Sequence, residues 1–133
     1  MSFLLDTHAF IWSVVDPRRL GERSRAALAD SSNEVLVSAV TFWEIALKTG
    51  IGKLKLEGCT PETLFRAAQD QAFQLLPLSP EDACAFHRLP KTTHKDPFDR
   101  MLIWQAIRGR HTLITRDANI RLSYRRYRLV TLW

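Results

Sequence analysis

The residues Phe3-Leu4-Leu5-Asp6, close to the start of the chain, are a short apolar run that stops at an acidic residue. An uncharged run of this kind is typical of a strand that is buried on both faces of a sheet. Val35 to Val37 and Thr112 to Thr115 repeat the pattern, and further strands are predicted over residues 73–78 and 129–132. The stretches between these runs are amphipathic, which indicates that helices connect the strands.

Capping residues and prolines mark where several of these helices begin. Thr60-Pro61 and Ser79-Pro80 each place a cap before a proline at the first helical position, and Asp96-Pro97 starts the longest helix. The predicted helices cover residues 8–15, 21–30, 41–48, 61–71, 80–89 and 97–109. Strands that alternate with helices require right-handed crossovers, which give a parallel sheet covered on both faces. We therefore predict a single three-layer α/β domain over residues 1–133, with a mainly parallel sheet of about five strands.

The composition is that of an ordinary globular protein, and a chain of 133 residues leaves room for one domain. Cys59 and Cys84 form no CxxC pair, so neither a disulfide framework nor a zinc site is predicted. No uncharged stretch is long enough to cross a membrane and no basic leader is present, so a cytoplasmic location is the default expectation. The net charge of +5 favours an anionic partner, most commonly nucleic acid.

Four acidic residues occupy positions that the predicted fold brings to one edge of the sheet. Asp6 and Asp117 directly follow strand ends, whereas Glu44 and Asp99 lie one turn into helices. Two ionised carboxylates about 4 Å apart repel each other by roughly 4 kcal/mol at an effective dielectric constant of about 20. A cluster of four therefore needs a cation. Oxygen ligands without histidine or cysteine select Mg²⁺ or Mn²⁺, which act on phosphodiesters.

Each acid also has a simpler structural interpretation. Thr41-x-x-Glu44 matches a capping box, in which the Glu44 side chain returns to the backbone N–H of Thr41. Asp96 suits the N-cap position of its helix, and the helix dipole favours Asp99 in the first turn. Asp6 is equally consistent with a solvated strand end, and Asp117 with a turn. Only the joint placement of the acids favours a metal site.

Basic and aromatic residues near the C-terminus offer a second candidate surface. Residues 121–128 interleave arginines with Tyr124 and Tyr127, a pattern that suits either a nucleic-acid backbone with stacked bases or a solvated basic face. Arg100 and Arg116 adjoin Asp99 and Asp117, and a local ion pair is favoured slightly over phosphate binding. The four histidines show no metal-ligand spacing, so none is predicted to bind a metal; they are His8, His87, His94 and His111.

Four segments of the chain resemble the PIN-domain ribonucleases, and within them the VapC-like toxins of toxin–antitoxin pairs. The segments are Leu4-Leu5-Asp6-Thr7-His8, Ser38-Ala39-Val40-Thr41-Phe42-Trp43-Glu44-Ile45, His94-Lys95-Asp96-Pro97-Phe98-Asp99-Arg100-Met101-Leu102-Ile103 and Leu113-Ile114-Thr115-Arg116-Asp117. They follow the order of the family at suitable spacing, and the resemblance covers essentially the whole chain.

The resemblance implies a metal-dependent endoribonuclease that hydrolyses RNA phosphodiesters with a metal-activated water. It assigns the Mg²⁺ or Mn²⁺ ligands and catalytic acids to Asp6, Glu44, Asp99 and Asp117. It also implies supporting roles nearby. These are Asp96, orienting Arg100 or a water bound to the metal, and Thr115, positioning a water or phosphate. A homodimer and a cognate antitoxin that docks near the active-site groove are the implied partners.

Two functions from other classes remain open on the sequence. A Mg²⁺-dependent phosphohydrolase could use Asp6 as nucleophile, although such enzymes of the haloacid-dehalogenase type want a second aspartate two residues later, where this chain has His8. A non-catalytic nucleic-acid-binding module would use the acids only as helix caps. It predicts RNA binding that divalent ions do not affect.

Overall fold

The computed structural model describes residues 1–133, and its five strands form one sheet in which every neighbouring pair is parallel. The strands are β1 (Ser2–Leu5), β2 (Glu34–Ser38), β3 (Gln74–Leu76), β4 (Thr112–Ile114) and β5 (Thr131–Leu132). Their order is β3-β2-β1-β4-β5, which confirms the predicted parallel sheet of five strands. Strands β2 and β3 follow one another on one side of β1, whereas β4 and β5 lie on its other side. The strand order therefore reverses between β1 and β4, where ligands bind in open α/β sheets.

Seven α-helices flank the sheet. They are α1 (Thr7–Val15), α2 (Glu22–Ala29), α3 (Ala39–Gly50), α4 (Pro61–Asp70), α5 (Pro80–Ala85), α6 (Pro97–Gly109) and α7 (Ala118–Tyr124). Single 3₁₀ turns lie at Pro17–Arg19, Phe86–Arg88 and Arg125–Tyr127. None of these helices combines the length and the apolar character that a membrane span requires.

The core has two halves, one on each face of the sheet, because successive side chains of a strand point to opposite faces. Phe3 and Leu5 of β1 pack with buried side chains of α1, α2 and α4. Leu4 points the other way and packs with α6 and α7. The result is the predicted arrangement of three layers, helix on sheet on helix.

Helix α3 begins two residues earlier than its sequence suggests. Its N-cap is Ser38, whose Oγ accepts a hydrogen bond from the N–H of Val40 at 3.0 Å and donates one to Oε1 of Gln105 at 2.5 Å. Thr41 consequently lies inside the helix, fully buried. The capping-box interpretation of Thr41 and Glu44 is therefore wrong, because the true cap is the buried serine at the end of β2.

The basic C-terminal segment contains a helix that the sequence did not indicate. Ile120 and Tyr124, four residues apart, are the two buried side chains of α7, and exposed arginines surround them in the sequence. Tyr124 has no exposed surface, and its hydroxyl accepts a hydrogen bond from Nε of Arg100 at 3.2 Å. Tyr124 therefore belongs to the core, and the suggestion that it stacks on a nucleic-acid base is wrong.

Candidate active site

Asp6 joins the end of β1 to the start of α1 and is tied to the neighbouring strand. Its backbone N–H donates to the carbonyl oxygen of Ile114 in β4 at 3.0 Å. Its Oδ1 accepts from the N–H of Ala9 at 2.8 Å, which makes Asp6 the N-cap of α1. The residue is 8% exposed, so it is no solvated strand end. Its carboxylate is fixed at the carboxyl edge of the sheet, where the strand order reverses.

Asp117 occupies the matching place after β4. Its backbone N–H donates to Oγ1 of Thr115 at 3.1 Å, and its Oδ1 caps α7 by accepting from the N–H of Asn119 at 2.8 Å. Because β1 and β4 are paired in parallel, Asp6 and Asp117 leave the sheet at the same edge. Asp117 caps a helix through Oδ1, leaves Oδ2 without a hydrogen bond, and lies in the wall of the cleft described below.

Asp96 and Asp99 both lie at the start of α6, but only Asp99 faces the other acids. Oδ1 of Asp96 accepts from the N–H groups of Phe98 and Asp99 at 2.9 and 3.1 Å, so Asp96 is the helix cap. Its carboxylate forms no hydrogen bond or ion pair with the Arg100 guanidinium, so the predicted orienting role toward that side chain is wrong. That arginine instead donates to the carbonyl oxygens of Leu89 and Pro90 at 3.3 and 3.4 Å and to the buried tyrosine of α7.

Neither Arg100 nor Arg116 forms an ion pair with a carboxylate, so the predicted local ion pair is wrong. Arg100 holds the segment before α6 against the core. Arg116 is exposed and lies in the wall of the acidic cleft.

His94 connects two of the acids and is the main residue that the sequence analysis missed. Its Nε2 lies 3.0 Å from Oδ2 of Asp99 and its Nδ1 lies 3.9 Å from Oδ2 of Asp117. One ligand atom from each of these three residues lies within 4.8 Å of the others. The usual sequence signal for a histidine in a metal site is a second histidine at helical spacing, which His94 lacks; the side chains beside it are two acids, of which Asp117 comes from a distant part of the chain.

Three of the four predicted acids share one open cleft of about 380 Å³. Asp6, Asp99 and Asp117 line it, together with His8, Trp12, Arg116 and Ile120. The cleft lies at the carboxyl edge of the sheet, between β1 and β4, and its acids come from three separate elements of the chain.

Glu44, the fourth acid, lies beside this cleft and is 3% exposed. Its Oε1 accepts from Oγ1 of Thr7 at 2.6 Å, and its Oε2 pairs with Nζ of Lys48 one turn along α3. Burial disfavours a charged Lys48, but the hydrogen bond and charge of Glu44 outweigh it and raise the pKa of the lysine. Glu44 therefore carries its own counterion, which the sequence analysis did not foresee.

The family model of the PIN domain matches residues 3–124. The chain belongs to the PIN domain family. Ribonuclease VapC22 from Mycobacterium tuberculosis is 28% identical over 130 residues, which cover 98% of this chain and 97% of that protein.

Solved structures share this PIN fold at low sequence identity. VapBC2 from Rickettsia felis, bound to a DNA fragment from its promoter, has a TM-score of 0.71 at 15% identity and covers 99% of this chain and 98% of its own. DNA-bound VapBC from Salmonella typhimurium has a TM-score of 0.67 at 18% identity, with 99% and 97% covered.

Two acids of this cleft have raised pKa values, and burial is the main cause for both. Burial raises the pKa of Asp6 from its ordinary 3.8 to about 6, and the charge of Asp99 adds to the rise. The side chain of Thr115 and the N–H of Ala9 oppose it. Burial also raises the pKa of Asp99; the hydrogen bond from His94 opposes that rise, and the charges of Asp96 and Glu44 add to it. Proximity and burial thus penalise the ionised forms.

This donor set fits a divalent cation. A nearby cation reverses the penalty on ionised carboxylates, since an opposite charge within a few ångströms favours the charged form. Carboxylate oxygens suit Mg²⁺ and Mn²⁺, and three aspartates around one open cleft offer several. The residues that would hold such an ion are Asp6, Asp99 and Asp117, with the Glu44 carboxylate behind them.

Proposed function

We propose that this chain is a metal-dependent endoribonuclease and the toxin component of a toxin–antitoxin pair. The observation that carries the proposal is the convergence of Asp6, Asp99 and Asp117 on one cleft at the point where the strand order reverses. The similarity to a protein named as a ribonuclease, over almost the full length of both chains, supports RNA as the substrate. The net charge of +5 suits a polyanionic substrate.

The residues of the cleft would bind the ion, balance its charge and position one another. Asp6, Asp99 and Asp117 would hold Mg²⁺ or Mn²⁺, and Glu44 adds negative charge that Lys48 balances. The bound ion would supply activation of a water and stabilisation of charge on the attacking and leaving oxygens of the phosphodiester. Thr115 links two of the acids, because its Oγ1 accepts from the backbone N–H of Asp117 and its side chain lowers the pKa of Asp6.

Arg116 is the cation best placed to meet the substrate. It lies in the wall of the acidic cleft and makes no ion pair with a protein carboxylate, so its guanidinium is available for a phosphate of the RNA backbone. Asp96 contributes indirectly, since its cap fixes the first turn of α6 and with it the backbone of Asp99.

The partners are proposed on the same basis. The two structural relatives above are VapBC complexes, which supports a cognate antitoxin for this chain. We also propose that residues 1–133 act as a single nuclease domain in the cytoplasm and that two copies form a homodimer.

The direct test is cleavage of RNA by the purified protein. Total cellular RNA would be incubated with Mn²⁺ or Mg²⁺, beside a chelator control, and new 5′ ends would be mapped. Asp99→Asn removes one carboxylate charge from the cleft and is expected to lower the rate at least about 100-fold. Asp70→Asn removes the same charge from an exposed position at the end of α4 and is the matched control.

Each rival function predicts a different result in this experiment. RNA binding without metal-dependent cleavage would support the non-catalytic module. A covalent phosphate on Asp6 would support the phosphohydrolase. Cleavage that Asp99→Asn leaves unchanged would show that the acidic cleft is not the active site.

A further inference from the structure

We propose that a basic pocket beside the acidic cleft binds a backbone phosphate of the RNA, next to the phosphodiester that is cut. The basic pocket is formed around Arg23, Arg116 and Arg121 and has a volume of about 180 Å³. The inference rests on the proposed function in that the ligand is the RNA strand whose phosphodiester lies at the acidic cleft. It adds a second point of contact, which fixes the path of the strand over the protein.

The three arginines of the basic pocket come from separate parts of the chain. Arg23 lies in the first turn of α2, Arg116 follows β4, and Arg121 lies in α7. They meet at the carboxyl ends of β4 and β5, where Thr115 and Leu132 also line the pocket. The basic pocket is therefore not a run of charged residues along one helix face, but a convergence of like charges that the fold itself produces.

No carboxylate of the protein balances these arginines. None of the residues that line the basic pocket is acidic, and none of the three guanidinium groups forms a hydrogen bond or an ion pair. Other exposed arginines do find partners, since Arg18 pairs with Asp16 and Arg108 with Asp82. Like charges gathered around one small pocket repel each other, and a bound anion removes that repulsion.

The basic pocket adjoins the acidic cleft. Arg116 lies in the wall of both. Trp12 lines the cleft and Trp133 lines the pocket, and their rings meet edge to face with centroids 5.8 Å apart. Thr115, in the wall of the pocket, accepts a hydrogen bond from the N–H of Asp117 in the cleft at 3.1 Å. A strand with one phosphodiester at the aspartates therefore brings a neighbouring phosphate to the arginines.

The chemistry of the basic pocket suits a phosphate group. A guanidinium donates two parallel N–H groups to phosphate oxygens, which is why arginine is favoured where phosphate is recognised. The volume of about 180 Å³ corresponds to roughly six water molecules at about 30 Å³ each, which leaves room for a phosphate group. The carboxylates of an acidic peptide would also pair with arginine, but the continuity with the acidic cleft favours the strand that the cleft cuts.

A phosphate contact leaves a measurable signature in the salt dependence of binding. Each contact with a single strand releases counterions, so its loss lowers the slope of log affinity against log salt concentration by about 0.7. An arginine that touches no phosphate alters the net charge of the protein without removing such a contact. Salt dependence therefore separates arginines of the basic pocket from arginines elsewhere on the surface.

Binding of a short single-stranded RNA to the full chain tests the proposal, with a chelator present so that metal-dependent cleavage does not consume the ligand. Fluorescence anisotropy at several salt concentrations would compare Arg23→Gln and Arg121→Gln with Arg25→Gln and Arg125→Gln. The last two are matched controls, because they remove the same charge from exposed arginines of the neighbouring sequence that do not line the pocket. We expect each pocket variant to bind about 5-fold more weakly with a slope lowered by about 0.7, and each control to stay within about 2-fold.

Cleavage kinetics provide a second measurement. Because the neighbouring phosphate is bound equally well before and during the reaction, Arg121→Gln should raise KM about 5-fold and leave kcat within about 2-fold of the unaltered protein. A fall in kcat with KM unchanged would overturn the assignment of a neighbouring phosphate to this pocket.

The remaining outcomes separate this inference from the proposed function. Affinities and salt slopes of the pocket variants equal to those of the controls would overturn the inference. A poly-aspartate peptide that binds more tightly than RNA of equal charge, and loses that binding in Arg121→Gln, would also overturn it and assign the pocket to an acidic peptide. RNA binding that depends on the pocket as expected, without metal-dependent cleavage, would support the pocket and refute the nuclease. Failure of the unaltered protein to bind RNA would overturn both.

Discussion

Neutralising Asp6 should make the metal-free protein more stable at neutral pH, although Asp6 is a buried helix cap. Asparagine has nearly the same shape and can still accept the hydrogen bond from the N–H of Ala9, so Asp6→Asn keeps the cap. What it removes is a carboxylate that burial and the charge of Asp99 make costly to ionise. One variant therefore keeps the helix cap while it removes the buried charge.

The magnitude follows from the pKa of Asp6, which rises from 3.8 to about 6 in the folded protein. When folding raises the pKa of an acid, the free energy of unfolding is higher at low pH, where the acid is protonated. That stability is lost as the pH rises through the pKa of the folded state. The penalty on the unaltered protein is about 0.5 kcal/mol at pH 4 and about 3 kcal/mol at pH 8. Asparagine forgoes some favourable interaction with the helix dipole, so the net gain of the variant at pH 8 is about 1–3 kcal/mol.

Urea unfolding with a chelator at pH 4 and pH 8 measures this difference, with Asp70→Asn as the control for a change of one charge. The free energy of unfolding of Asp6→Asn should exceed that of the unaltered protein at pH 8 and approach it at pH 4. Saturating Mn²⁺ should reverse the order at pH 8, because an ion bound by the folded state stabilises the protein that binds it more tightly. Equal destabilisation of the variant at both pH values would refute the reasoning and leave Asp6 as a cap alone.

Three further substitutions test other parts of the structure. Lys48→Met leaves the Glu44 carboxylate buried without its cation and should cost about 3 kcal/mol in the free energy of unfolding, most of which Glu44→Gln in the same chain should restore. Gly21→Ala places a Cβ 2.6 Å from the backbone of Trp133 and should cost about 1–3 kcal/mol in urea unfolding, whereas an unchanged midpoint would contradict that contact. Arg100→Met removes the anchor of residues 89–95 and should speed hydrogen exchange there, with exchange in the strands as the internal control.

The division of charge within the site bears on how many ions it needs. Three aspartates share the open cleft, whereas Glu44 is buried beside it with a lysine as counterion. The repulsion that four exposed carboxylates would create is therefore partly balanced by the protein itself. A bound ion has chiefly the aspartates of the cleft to neutralise.

The fold class and most of its elements could be predicted from the sequence because they depend on local patterns. An apolar run such as Phe3-Leu4-Leu5 is typical of a strand buried on both faces, and the prolines after Thr60, Ser79 and Asp96 mark helix starts by restricting the backbone. Helix α7 escaped prediction because only two of its seven residues are buried, too few to show a period.

The acids of the site followed from the sequence for a similar reason. In a parallel sheet every strand ends at the same edge, so an acid directly after a buried strand has its position fixed by the strand. Asp6 and Asp117 were placed in this way, and the pairing of β1 with β4 brings them to one cleft.

Only the tertiary structure decided which basic and histidine side chains contact those acids. Arg100 binds carbonyl oxygens and a buried tyrosine rather than an acid, and His94 reaches Asp117 as well as Asp99 from an irregular segment. A chain's sequence determines its own strands and caps through local backbone preferences. The partner of a charged side chain depends on distances between segments that are far apart in the chain, and those distances exist only once the layers have packed.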